Sequence, residues 1–175
     1  MKIVITGTTS GLGKACKEQF THYEVESLDR PNYDLDVNLD AYVKTDFDVY
    51  INNAYSGYKQ VELLYKLFEA NKNRDCLIIN MGSVVADKTY ERVYPYAIHK
   101  KALADACLQL QQIDSQCRIT HLRLGRMETP MTEHRPGPKL DPGIVATYID
   151  SVLLHMPSNI VIKDLTIDNF FGILS

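Results

Sequence analysis

The chain opens on Lys2-Ile3-Val4-Ile5, a short β-branched run, and passes at once into Thr6-Gly7-Thr8-Thr9-Ser10-Gly11-Leu12-Gly13. Such a run suits a strand buried on both faces, as in parallel sheets. Gly7, Gly11 and Gly13 permit positive φ and close backbone approach, and the residues from Gly11 onward predict a helix. A strand, a glycine turn and a helix in that order open a βα unit. The free N–H groups and positive dipole end of the helix then face whatever lies over the turn, which suits a pyrophosphate. The spacing is Gly-x3-Gly-x-Gly rather than Gly-x-Gly-x-x-Gly, so an ordinary glycine-rich strand-to-helix turn is the competing reading.

The rest of the chain continues the alternation. Strands are predicted near 2–6, 24–29, 33–35, 47–51, 76–81, 118–124 and 159–164, and helices near 11–20, 38–44, 60–71, 95–113 and 142–155, the last with Pro142 in its first turn. This order predicts an α/β chain with helices on both faces of a parallel sheet. The 175 residues, 45% of them hydrophobic, are enough for one domain over 1–175 with a sizeable core. The stretch 129–142 holds Pro130, Pro136, Gly137 and Pro138, and is expected to be a loop over the substrate. A net charge of -3 argues against nucleic acid as a partner. Cys16, Cys76, Cys107 and Cys117 have no metal-ligand spacing and read as reduced core thiols, which points to the cytoplasm. No apolar run approaches the ~18 residues of a membrane span, and no metal site is expected.

Three residues carry chemistry. Tyr96 and Lys100 stand four apart on a predicted helix and so share a face. A free phenol titrates near pH ~10, but a positive charge at roughly 4 Å, at an effective dielectric of about 20, is worth about 4 kcal/mol, or about three pKa units. Lys100 is thus expected to draw the Tyr96 phenol towards neutrality as a general acid/base. Ser83, after a predicted buried strand, is placed to hold a substrate oxygen while Tyr96 exchanges its proton. Taken singly, the pair also reads as an aromatic packed on a lysine stem, and Ser83 as a turn or cap residue. Tyr55, Tyr58, Tyr90 and Tyr94 offer an aromatic pocket or plain packing, and His134 and Arg135 either meet an anionic substrate or are solvated.

Thr6-Gly7-x3-Gly11-x-Gly13, Asn52-Asn53-Ala54, the thirteen-residue step from Ser83 to Tyr96, and Tyr96-x3-Lys100 together resemble the short-chain dehydrogenase/reductase family, nearly end to end. The resemblance implies a Rossmann fold: a doubly wound, three-layer α/β/α sheet of about seven strands in the order 3-2-1-4-5-6-7. It implies NAD or NADP as cofactor and a small carbonyl or alcohol as substrate, with Ser83, Tyr96 and Lys100 catalytic. Gly7, Thr9, Ser10, Gly11, Leu12, Gly13, Asn53, Ala54 and Tyr55 would line the cofactor, with Tyr96 and Lys100 touching its ribose end. Gly125-Arg126-Met127-Glu128-Thr129 resembles the family's Pro-Gly-x3-Thr segment, Leu124 replacing the proline, so Gly125, Met127 and Thr129 would hold the nicotinamide. Relatives commonly form dimers or tetramers through the helices matching 60–71 and 95–113, where Val61, Leu64, Leu103, Cys107 and Leu110 offer apolar positions.

Asp29 ends the second predicted strand, about twenty residues after the first glycines, where a carboxylate accepts from ribose hydroxyls and repels a 2′-phosphate. Arg30 pulls the other way, and the balance favours NAD. Asp36 and Val37 are expected near the adenine, with Asp34 as a rival and a solvated turn as the alternative. Two departures from the family stand out. Tyr55 replaces a usual glycine, and the interval to Ser83 is short, as if one helix were missing. The family's further catalytic asparagine falls on Ser56 or Tyr55, so Lys100 either opens to solvent or relays through Ser56. A non-catalytic dinucleotide-binding or redox-sensing protein, or an epimerase or dehydratase that retains NAD, is the alternative function.

Overall fold

The computed structural model describes residues 1–169. Six strands form one parallel sheet: β1 (Lys2–Thr6), β2 (Glu24–Leu28), β3 (Val49–Asn52), β4 (Cys76–Met81), β5 (Cys117–Leu124) and β6 (Asp164–Ile167). Their spatial order is β2-β1-β3-β4-β5-β6. The main helices are α1 (Gly11–Gln19), α2 (Lys59–Asn71), α3 (Pro95–Leu110) and α4 (Pro142–Tyr148), the last running on into a wider helical turn over Ile149–Leu154.

Successive strand residues point to opposite faces, and both faces are buried. Ile3, Ile5, Val49, Ile51, Leu77 and Ile79 pack with Leu12, Cys16 and Phe20 of α1 and its cap, and with Val145 and Ala146 of α4. Val4, Tyr50, Ile78 and Ile119 pack instead against Leu63, Leu67 and Phe68 of α2 and Leu103, Ala106 and Cys107 of α3. The result is the expected three-layer, doubly wound sheet. Because β1 pairs with β2 on one side and β3 on the other, the winding reverses at β1. A crevice therefore opens beyond the carboxyl ends of β1 and β3, the place where such sheets bind ligands.

Two predicted strands change. Residues 33–35 form a turn: the Asp34 side chain accepts from Asp36 N–H at 2.9 Å and its carbonyl accepts from Val37 and Asn38 N–H, so the chain curls instead of joining the sheet edge. Removing that segment from the expected order leaves the observed one. The last strand begins at Asp164 rather than near 159, because side chains take the preceding carbonyls. Arg118 donates to Pro157 and Ile160 O, Thr120 to Ile162 O, and Gln111 to Lys163 O. The helix expected over 38–44 shortens to a 3-10 turn at Leu39–Tyr42. Leu64, Leu103, Cys107 and Leu110, named for an interface between copies, are buried in the protein's own core, and Val61 packs against it. Among the described residues no helix is long and apolar enough to cross a membrane.

Candidate active site

The crevice is a cleft of about 440 Å³ that runs from Asp29 and Arg30, past the glycine turn, to Tyr96 and Lys100. Its wall at the glycine turn is built from strand ends. Thr6 Oγ1 accepts from Asn53 N–H at 2.9 Å and Ala54 N–H at 2.8 Å, while the Asn53 side chain donates to Thr6 O and Gly7 O at 2.9 and 3.1 Å. Asn53 thus braces the turn against β3. Gly7 and Gly11 take φ of 73° and 55°, the left-handed region in which a Cβ is strained. Ser10 gives α1 no side-chain cap, and Thr9, Ser10, Gly11 and Leu12 line the cleft, so the first-turn N–H groups of α1 face it. These residues fit a dinucleotide pyrophosphate.

Gly13 has a different task. It is buried, and a Cβ there would overlap the carbonyl of Gly7 and crowd the Asn53 amide. The close approach of α1 to β1 depends on it. Gly13→Ala is expected to destabilise the fold by about 3 kcal/mol, since the opposing atoms are backbone and cannot swing away. Urea denaturation measures this; a loss within about 0.5 kcal/mol would mean that α1 shifts freely.

At the adenosine end, Asp29 lines the cleft and binds the glycine turn with both oxygens, accepting from Thr8 N–H and Thr8 Oγ1 at 2.5 Å each. Each oxygen keeps a second lone pair for a ribose hydroxyl. Arg30 also lines the cleft, but its Nε pairs with Asp34 at 3.3 Å. Asp36 and Val37 lie outside the cleft lining: Asp36 accepts both its bonds from Ser56 Oγ, at 2.7 and 2.8 Å, and Val37 is 83% exposed. The turn at Asp34 carries them away, and Tyr33, Leu35 and Tyr42 line that end instead.

At the other end α3 presents Tyr96 and Lys100. Burial pushes the Tyr96 phenol up to about 12, with the Ser83 hydroxyl acting the other way. Lys100 is buried and is brought down to about 7 by that burial. The expectation that Lys100 draws the phenol towards neutrality is therefore overturned in this geometry. Lys100 Nζ donates to Gln60 Oε1 at 2.7 Å and Met81 O at 2.6 Å, and stands 5.6 Å from the Tyr96 ring centroid. As for the missing asparagine, Lys100 is almost fully buried on the cleft lining, and Ser56, on the same lining, donates its hydroxyl to Asp36.

Ser83 donates to Leu124 O at 3.3 Å and accepts from Val85 N–H at 3.4 Å, capping the short 3-10 helix Val84–Asp87. These are long bonds, so the cap reading and a place beside Tyr96 hold together. Tyr55 meets the Tyr96 ring edge-on at 4.9 Å and bonds His99 Nδ1 through its hydroxyl at 2.8 Å. Tyr94 lies 6.0 Å from Tyr96 and 4.8 Å from Tyr90, and its ring carries Arg92 and Arg135 at 5.1 and 5.8 Å. Of the four aromatic residues read from the sequence, Tyr55 lines the cleft beside Tyr96, Tyr90 and Tyr94 pack outside its lining, and Tyr58 packs on His99. His134 is exposed, whereas Arg135 bonds the Tyr94 hydroxyl at 3.2 Å.

Met127, Thr129, Pro130 and Met131 line the cleft from the loop after β5. The Thr129 methyl covers Gly11, where a Cβ would come within 3.1 Å of it. Gly125 does not line the cleft; it is buried against Asp168, whose side chain a Cβ would overlap. Gln60 and Gly82 were not anticipated. Gly82 lines the cleft and leaves room for the His121 ring behind it. A signal for Gln60 existed: Gln60, Leu63, Leu64, Leu67, Phe68 and Asn71 form one buried helical stripe, and a polar residue inside such a stripe calls for a partner. Among the described residues no group of three or more His, Cys, Asp or Glu is placed to hold a metal ion.

No family model and no curated protein matches the chain. Solved structures do. A 3-alpha-hydroxysteroid dehydrogenase from a Pseudomonas species, complexed with NADH, superimposes with a TM-score of 0.75 at 19% identity, covering 96% of this chain and 95% of that one. Serine dehydrogenase from Escherichia coli gives 0.72 at 15% identity, covering 95% and 97%. A short-chain dehydrogenase from Burkholderia cenocepacia, in complex with NADP, gives 0.74 at 15% identity, covering 94% and 86%. The likeness extends over nearly the whole chain and establishes its architecture: this is the fold of the short-chain dehydrogenases.

Proposed function

We propose that the chain is an NAD(P)-dependent oxidoreductase of the short-chain dehydrogenase/reductase kind, acting on a carbonyl/alcohol pair. The observation that carries this reading is that Tyr96 and Lys100 line one end of a cleft whose middle is a helix N-terminus behind a glycine turn, with Ser83, next to the cleft-lining Gly82, in hydrogen-bonding reach of the Tyr96 phenol. A bound nicotinamide would supply or accept the hydride. The chain supplies the rest. Tyr96, held as a neutral phenol by burial, gives its proton to the carbonyl oxygen as charge develops there. The Ser83 hydroxyl exchanges its long bond to Leu124 O for a shorter one to the same oxygen. Lys100, beneath both aromatic rings, offers its remaining N–H to the nicotinamide ribose. The loop 129–142 is our candidate for the substrate cover, its base pinned where Met127 and Leu140 pair. Net oxidation of NADH or NADPH with a panel of small ketones, aldehydes and carboxylate-bearing carbonyls tests the reading; no net turnover with any of them sinks it in favour of a binding protein or a cofactor-recycling epimerase.

NAD is the expected cofactor, since Asp29 faces the cleft and Arg30 is tied to Asp34. NAD should bind at least about tenfold more tightly than NADP, a gap of ~1.4 kcal/mol. Asp29→Ala also loosens Thr8, so the ratio of the two affinities is the readout, and it should close to within about twofold. A wild-type preference for NADP would assign the reading to Arg30 instead.

The buried free cysteines support a cytoplasmic site of action. We further propose a homodimer or homotetramer, with Tyr65 on α2 and Ile98 and Leu108 on α3 as the apolar side chains those helices leave exposed. A monomeric mass by light scattering refutes it.

A further inference from the structure

We propose that Gln60 is the positioning residue of the site: its side-chain oxygen holds the Lys100 ammonium in one place on the cleft floor, with the positive charge left uncompensated. The proposal rests on the reading of Tyr96 and Lys100 as the reacting pair.

The orientation of the Gln60 amide is fixed by its neighbours. Its Nε2 donates to Asn52 O at 2.7 Å and Met81 O at 3.3 Å, and its Oε1 accepts from Lys100 Nζ at 2.7 Å. Turned over, the amide would set its oxygen against two carbonyl oxygens and its N–H groups against an ammonium. Gln60 cannot swing either. Asn52 Nδ2 donates to Gln60 O at 3.0 Å and to Asn80 Oδ1 at 2.9 Å, which ties the first turn of α2 to β3 and β4. Gln60, Asn52 and Asn80 are all buried. With Gln60 Oε1 and Met81 O each taking one N–H, the third is left for the side of Tyr55 and Tyr96, whose ring centroids lie 5.4 and 5.6 Å away.

The choice of amide over carboxylate matters. A glutamate here would neutralise the ammonium, whereas a neutral oxygen anchors it and leaves its field to act on the cleft. The titratable groups around Lys100 are Tyr96 and Cys107 on α3, Tyr55 on the loop after β3, and His121 on β5, and its two hydrogen-bond partners are neutral. Burial brings it to about 7, and a hydrogen-bond partner of different charge at the Gln60 position would move that value.

Gln60→Glu and Gln60→Met keep the length of the side chain; both change the acceptor that Lys100 meets, and both give up the N–H bonds to Asn52 O and Met81 O, a loss the two variants share. The experiment follows the unfolding midpoint and NADH affinity of each protein from about pH 6 to 10.5, the span between the folded and free lysine values. In wild type, stability should rise, and NADH binding weaken, as pH climbs past about 7. Gln60→Glu should move both limbs up by about one unit or more, and Gln60→Met should move them down by a similar amount. Limbs that coincide with wild type in both variants overturn the proposal. Should Gln60→Met fail to fold, the isosteric Gln60→Glu decides alone. The stability limb needs neither cofactor nor substrate, so absent carbonyl turnover would overturn the oxidoreductase reading without touching this one. Unmoved limbs in an active protein would do the reverse.

Discussion

Tyr96→Phe is expected to lower carbonyl reduction by at least about 10³-fold while NADH affinity stays within about twofold of wild type. The substitution removes one hydroxyl and leaves the ring, so the edge-on contact with Tyr55 at 4.9 Å survives. What disappears is the proton donor. With its pKa pushed up to about 12 by burial, the phenol is an acid at neutral pH, and its ionised form is scarce. Alcohol oxidation needs that ionised form, so its rate in wild type should rise with pH across the neutral range. Steady-state kinetics with the best carbonyl from the panel, alongside fluorescence titration of NADH, checks both halves. Retained turnover in Tyr96→Phe sinks the mechanism.

Lys100→Met should change the pH dependence of stability more than any other single substitution. The ammonium titrates near 7 in the folded protein against an ordinary 10.5, because its burial disfavours the charged form. Between those values the unfolded chain holds a proton that the folded chain has given up, so wild-type stability rises with pH through the window and is flat below it on this account. At about 1.4 kcal/mol per unit the whole rise is on the order of 5 kcal/mol. Lys100→Met removes the slope. It also leaves Gln60 Oε1 without its donor and Met81 O with only the longer bond from Gln60 Nε2, a cost of about 1–3 kcal/mol that does not vary with pH. Chemical denaturation at several pH values separates the two effects. A wild-type curve as flat as the variant's would mean that Lys100 keeps its proton throughout.

Much of the architecture was legible because it is written locally. Ile3 to Ile5, Val49 to Ile51 and Leu77 to Ile79 are short apolar runs, and only a strand covered on both faces buries every residue of such a run. Gly7, Gly11 and Gly13 were readable as a turn, and Tyr96 with Lys100 as one helix face. Residues 33–35 form no strand because the Asp34 carboxylate satisfies Asp36 N–H and starts a turn. Such a local side-chain bond offers the backbone an alternative to the edge of a sheet.

The reacting end divides along the same line. The amino-acid sequence by itself determined the winding of a parallel sheet, the glycine turn facing its crevice, and the residue types Ser83, Tyr96 and Lys100 at the spacing that a strand end and a helix face bring together. Those follow from periods of two and of 3.6 residues, which act over a few positions. Only the tertiary structure decided which groups are charged and what they touch. Lys100 meets Gln60 across 40 residues, Thr8 meets Asp29 across 21, and Asp36 turns to Ser56 across 20. A pKa is set by burial and by such distant partners, and neither exists until the layers close. For that reason the phenol that spacing alone would place near neutrality is held high, and the lysine that should have lowered it is itself brought down to about 7.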